Sequence, residues 1–193
     1  MNFKSFYLIE STRNELVVVD VQPVYKNYIK FDIESFINYI KEQNYYRILY
    51  LFNGPDFGFE TEHEIKEWLF EIVDYDEDLC EFIQTFKFYE KNYGFYRDLM
   101  DNDYDVEDII KLIKYMVNKK ITDSRDMEDE DWETLKLENI EPNMLYIPDV
   151  IDILKNHNNI HLCGGGKKEC LKEVEICLKV LGKDYKRLDK WVY

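Results

Sequence analysis

At 193 residues, with 46% hydrophobic and 16% aromatic side chains, the chain can bury a core of its own, which excludes an intrinsically disordered protein. Its 40 acidic residues against 25 basic ones give a net charge of −15, which argues against a surface built to neutralise duplex phosphates but leaves room for a small ligand in a local pocket. Cys80, Cys163, Cys170 and Cys177 form no CxxC pair and no zinc spacing, and no apolar run approaches the roughly 20 residues of a membrane span, so a reduced, soluble, cytoplasmic protein is expected.

In chain order, "ELVVVDVQ" (15–22) is a continuous apolar run closing on Asp20, as in a strand buried on both faces. "FDIESFINYIKEQ" (31–43) has helical spacing, with Asp32 placed to cap it. "YYRILYLFNGPD" (45–56) reads as a second strand ending in a turn. "TEHEIKEWLFEIV" (61–73) reads as a helix with an acidic first turn, and "TFKFYEK" (85–91) as a short third strand. Residues 96–147 change character: one good helix, "DVEDIIKLIKYMVNK" (105–119), precedes an acidic stretch (123–133) expected to be a solvated face or mobile loop. The region reads as an inserted helical and acidic cap. Helical spacing resumes over 147–157, with Pro148 suited to a first turn. A strand (159–163), a helix ended by Gly182 (168–182) and a last strand (185–193) follow.

The alternation predicts the α/β class: a three-layer, Rossmann-like parallel sheet with helices on both faces and a helical insertion, one domain over 1–193. In such sheets ligands bind beyond the carboxyl ends of the strands. Asp20 and Lys91 fall at such ends, and Cys170 opens the helix that follows "CGGGKKEC". A cysteine at a helix N-terminus gains thiolate character, helped here by Lys167 and Lys168. A carboxylate can take its proton, and a lysine can keep that carboxylate ionised. The glycines fit a turn needing positive φ, an anion cradle or the seat of a nucleophile, but "GGGKKE" lacks the spacing of a P-loop. Cys170 also fits a plainer role, since with Val174, Cys177, Leu178 and Leu181 it can begin a buried helical stripe.

Three short motifs in order carry a resemblance: "VVVDVQ" with Asp20 and Gln22, "KNYGFYRDL" with Lys91, Tyr93, Gly94 and Phe95, and "LCGGGKKEC" with Gly164 six residues before Cys170. Together they resemble the isochorismatase-like cysteine hydrolase superfamily, which includes nicotinamidases and N-carbamoyl amidohydrolases. The resemblance implies Cys170 as nucleophile, Asp20 as general base and Lys91 as the group that orients and polarises. It puts the oxyanion on the backbone N–H groups of Gly166 and Cys170, and Gln22, Asn53, Phe95 and Gly165 are expected to contact substrate. It also implies a homodimer or higher homo-oligomer. The Asp-x-His…His arrangement of nicotinamidases is missing, since Asp56 and His63 do not reproduce its spacing, so neither a metal nor another cofactor is expected.

The function expected is hydrolysis of an amide or related C–N bond in a small molecule. Val174 and Glu175 stand where the family has small or hydroxyl residues. They motivate an alternative: an inactive relative that binds or sequesters a small ligand or a protein partner. A metal-dependent nuclease built on Asp20 with Asp98, Asp101 or Asp103 is a third, weaker idea, opposed by the charge.

Overall fold

The structure, a computed structural model, describes residues 13–70, 77–91, 104–137 and 147–193. The chain divides into two compact units. One comprises Met1–Lys91, His157–Lys167 and Asp184–Tyr193, and the other Asn92–Asn156 and Lys168–Lys183.

The first unit holds a sheet of β1 (Glu15–Val19), β2 (Arg47–Phe52), β3 (Phe86–Glu90), β4 (Ile160–Gly164) and β5 (Tyr185–Arg187). Every pairing is parallel and the order is β3-β2-β1-β4-β5, so β1 lies at the centre and the order reverses between β1 and β4. The fold class is therefore α/β with Rossmann-like strand order. The apolar runs are continuous because both faces are buried. Leu16, Val18, Ile48, Tyr50 and Cys163 enter one core with Phe36, Ile37, Ile40, Leu69 and Trp191, while the alternating Val17, Val19, Leu49, Leu51 and Leu162 are equally buried.

Helices α1 (Ile33–Gln43), α2 (Glu62–Phe70) and α3 (Glu77–Gln84) belong to the same unit. Asp32 caps α1 as expected, its carboxylate accepting from the Ser35 N–H at 2.8 Å. Sequence reading passed over α3. The expected last strand is shorter than 185–193, because after Arg187 the chain turns through a 3₁₀ segment, Asp189–Trp191. That turn puts the Trp191 ring 5.3–5.5 Å from those of Phe31, Phe36 and Tyr39. Burial of an indole among aromatics outweighs continuing a three-residue strand, since truncating a buried Trp costs about 3–5 kcal/mol.

The second unit holds α4 (Val106–Lys119), α5 (Asp129–Leu135), α6 (Val150–Leu154) and α7 (Cys170–Val180). Asp105 caps α4, accepting from the Glu107 N–H at 2.8 Å, and Ile109, Ile110, Leu112, Ile113 and Met116 form its buried stripe. Pro148 precedes α6 instead of lying in its first turn, its carbonyl accepting from the Ile151 N–H.

The acidic stretch presents the expected solvated face, carried on a helix and not on a loop. It forms a 3₁₀ turn, Ser124–Asp126, and then α5. Asp129 and Glu130 are solvated, but Asp131 turns inward. It accepts from the Glu128 N–H at 3.0 Å and the Tyr115 hydroxyl at 2.7 Å, with Lys119 Nζ 3.3 Å away. The Tyr115 bond first, then the Glu128 amide, holds its carboxyl below the usual range. One acid placed to meet a tyrosine and a lysine of α4 thus gives an otherwise repulsive run a reason to fold.

Candidate active site

The ladders of the sheet deliver two charged side chains to the end of β2. Just past β1, the Asp20 N–H donates to the Leu51 carbonyl at 2.9 Å. Just past β3, the Lys91 N–H donates to the Phe52 carbonyl, also at 2.9 Å. Asp20 and Lys91 therefore flank Asn53, the first residue beyond β2. Lys91 Nζ reaches across to lie 3.0 Å from Asp20 Oδ2 and donates to Asn53 Oδ1 at 2.9 Å.

Asp20 is fully buried and Lys91 is 6% exposed. Desolvation of each ion costs several kcal/mol, while unit charges about 4 Å apart attract by about 4 kcal/mol at an effective dielectric near 20, so each charge stays in place only because the other is there. Among the described residues, no hydrogen bond of regular geometry reaches either carboxylate oxygen of Asp20; Lys91 approaches Oδ2 as an ion-pair partner, and nothing engages Oδ1. A buried carboxylate oxygen without a donor is uncommon and calls for a chemical explanation. Asp20 is also strained, with φ +49 in the left-handed region.

The neighbours form a rigid floor. The Gln22 side chain mimics a strand: Nε2 donates to the Asn53 carbonyl and Oε1 accepts from the Asn53 N–H, both at 2.9 Å, while Nε2 also donates to Glu60 Oε2 at 3.2 Å. Asn53 Nδ2 donates to the Tyr25 hydroxyl at 3.1 Å. Expected as substrate contacts, Gln22 and Asn53 are both fully buried, and their side chains are engaged in holding Asn53 and Lys91 in place. The Tyr50 hydroxyl donates to the Val21 carbonyl, and burial first, then the Asp20 charge, keeps Tyr50 neutral far above its ordinary pKa.

The glycine turn follows β4. Gly164 pairs with Val19 and has φ +78, and a Cβ there would stand 2.2 Å from the Val19 carbonyl oxygen. Gly165 is left-handed as well, at φ +61. The first two glycines thus serve a close approach and a reversed backbone, and Gly166 is half-buried. In the second unit, half-buried Cys170 is the first residue of α7, ahead of the buried Val174, Cys177 and Leu178. Cys163 is fully buried, which pushes its thiol pKa up and leaves it inert. The structure brings together Asp20, Lys91, Asn53 and Gln22.

Tyr93, Gly94, Phe95, Asp98, Asp101 and Asp103 lie outside the described residues, as does the Cys80 side chain. Among the described residues, no three His, Cys, Asp or Glu side chains cluster as metal ligands do, and no helix is long and apolar enough to cross a membrane. Asp56 is exposed and His63 pairs with Glu67 along α2. Sequence reasoning missed Tyr25, Tyr50, Glu60 and Tyr193, which reach the cluster from four separate segments; no spacing pattern signals them.

No family model, curated protein or solved structure matches the chain. The fold and the site therefore define its class: a Rossmann-like α/β protein with a buried acid–lysine pair at the carboxyl edge of its sheet.

Proposed function

We infer that the protein is a cysteine hydrolase of isochorismatase-like type, cleaving an amide or related C–N bond of a small molecule. The observation that carries the reading is the buried Asp20–Lys91 pair at the carboxyl ends of β1 and β3, with one Asp20 oxygen that no donor among the described residues engages. A carboxylate kept charged and dry by a lysine, with a lone pair to spare, is equipped to accept a proton.

In this mechanism Asp20 takes the proton of the Cys170 thiol, and the thiolate attacks the substrate carbonyl carbon. Backbone N–H groups of Gly166 and Cys170 stabilise the oxyanion. The C–N bond breaks as the amine leaves with the proton from Asp20. Water, deprotonated by Asp20, then attacks the thioester, releasing the acid and restoring the thiol. Lys91 balances the Asp20 charge throughout. The same reading implies a cytoplasmic homo-oligomer.

Mass spectrometry after iodoacetamide near pH 7 tests it. Cys170 should label at least tenfold faster than an unfolded control, and Asp20→Asn should abolish the excess. Labelling no faster than the control would remove the activated thiol and the reading with it.

Burial of Val174 and Glu175, to 1% and 4% exposure, favours a second reading, in which this α7 no longer serves catalysis and the fold binds a ligand or protein partner. Ligand binding kept in Cys170→Ala, with no turnover by the wild type on an amide panel, would favour it.

A further inference from the structure

We propose that Tyr193 is a positioning residue that couples the backbone of Asp20 to the glycine turn; its catalytic consequence rests on the hydrolase reading above. The argument starts from Asp20. A non-glycine residue at φ +49 sits in the disfavoured left-handed region, so its surroundings must hold it there. Its N–H is tied to Leu51, and its carbonyl accepts from the Tyr193 hydroxyl at 2.7 Å. With both ends of the residue anchored, the Cα–Cβ bond has one direction, and the carboxylate stays beside Lys91.

Tyr193 is equally bound to the turn. Its N–H donates to the Gly165 carbonyl at 3.2 Å and its carbonyl accepts from the Lys167 N–H at 2.8 Å. These two bonds bracket Gly166, the expected oxyanion donor. The Tyr193 ring also lies 6.2 Å from that of Tyr25, whose hydroxyl accepts from Asn53, the residue that receives Lys91 Nζ. Trp191, 2% exposed, anchors the segment in the aromatic core two residues earlier. One residue thus connects the strained acid and the floor of the site through its side chain and the turn through its backbone. Tyr193 acts through Asp20 and the turn.

The test uses Tyr193→Phe, which removes only the hydroxyl. In native-state hydrogen exchange, the amides of Asp20–Gln22 and Gly165–Lys167 should both exchange several-fold faster, with the central strands unchanged as a control for folding. Unchanged exchange in either segment overturns the coupling. The pH profile of Cys170 alkylation gives a readout that a merely structural role would not move. In Tyr193→Phe it should shift to higher pH and rejoin the wild type in alkali, where every thiol is ionised. An activated wild-type profile left unmoved by the variant overturns the positioning role and spares the hydrolase reading. A wild-type Cys170 with no activated profile ends the hydrolase reading, and the exchange data then decide the coupling alone.

Discussion

The two ends of β1 each bury an acid beside a base, and they are built differently. At the amino end, Glu15 has both oxygens engaged: Oε2 lies 2.6 Å from His157 Nδ1 and accepts from the Asn158 N–H at 3.3 Å, and Oε1 faces Arg47 at 3.9 Å. At the carboxyl end, Asp20 is more deeply buried and lies on a left-handed backbone, and among the described residues Lys91 faces Oδ2 and no donor reaches Oδ1. A saturated acid ties elements together, and its energy is spent in the ground state. An acid left short of partners, in a strained conformation, is the kind of group found at functional sites, and the hydrolase reading makes Asp20 the proton acceptor. On the hydrolase reading, the strand carries a structural end and a chemical one.

The strongest way to break this contrast is Lys91→Met, which strands the Asp20 charge in the interior. It should cost about 3–5 kcal/mol by urea denaturation, and adding Asp20→Asn should restore part of it. A loss below about 1 kcal/mol, typical of a solvated pair, would erase the contrast. Gly164→Ala strikes the same end through the backbone. A Cβ 2.2 Å from the Val19 carbonyl at φ +78 combines overpacking with a left-handed penalty, about 2–5 kcal/mol in all, readable as a drop in Tm.

Glu15→Gln probes the other end. It should cost about 1–3 kcal/mol and leave Cys170 alkylation unchanged, so a change in alkylation would blur the division. The smallest effect concerns His161, which pairs with Leu16 near the amino end of β1 and whose Nδ1 lies 2.9 Å from the Tyr45 hydroxyl. Burial, then the Lys186 charge, lowers its pKa from 6.5, so the unfolded chain binds the proton more readily. Its contribution is complete above the unfolded value and is lost as pH falls through the lowered folded one. Denaturation midpoints at pH 7.5 and 5.5 should therefore differ less in His161→Gln than in the wild type.

Elements that depend on neighbours in the chain were legible. Asp32 and Asp105 cap helices, Gly182 follows α7 at φ +66, and the apolar runs are strands. The solvated face of the run 123–133 was legible, but its helix was not, because that depends on Tyr115 and Lys119 and nothing local reveals the pairing. The site divides similarly. Asp20 and Lys91 stood out because residues at strand ends are candidates in any parallel sheet, and Gln22 through the "VVVDVQ" motif, whereas Tyr25, Glu60 and Tyr193 come from segments that only folding gathers.

By itself the sequence determined the α/β class and the chemical types placed at the strand ends, since periodicity and capping are short-range properties of a chain. Only the tertiary structure decided that Asp20 meets Lys91, 71 positions away, across the end of β2. It alone decided that Gln22 clamps Asn53 and that Tyr193 holds a strained backbone. Those contacts need strand order and register, which place residues about 4.8 Å apart per strand whatever their distance in sequence, and burial then turns proximity into energy.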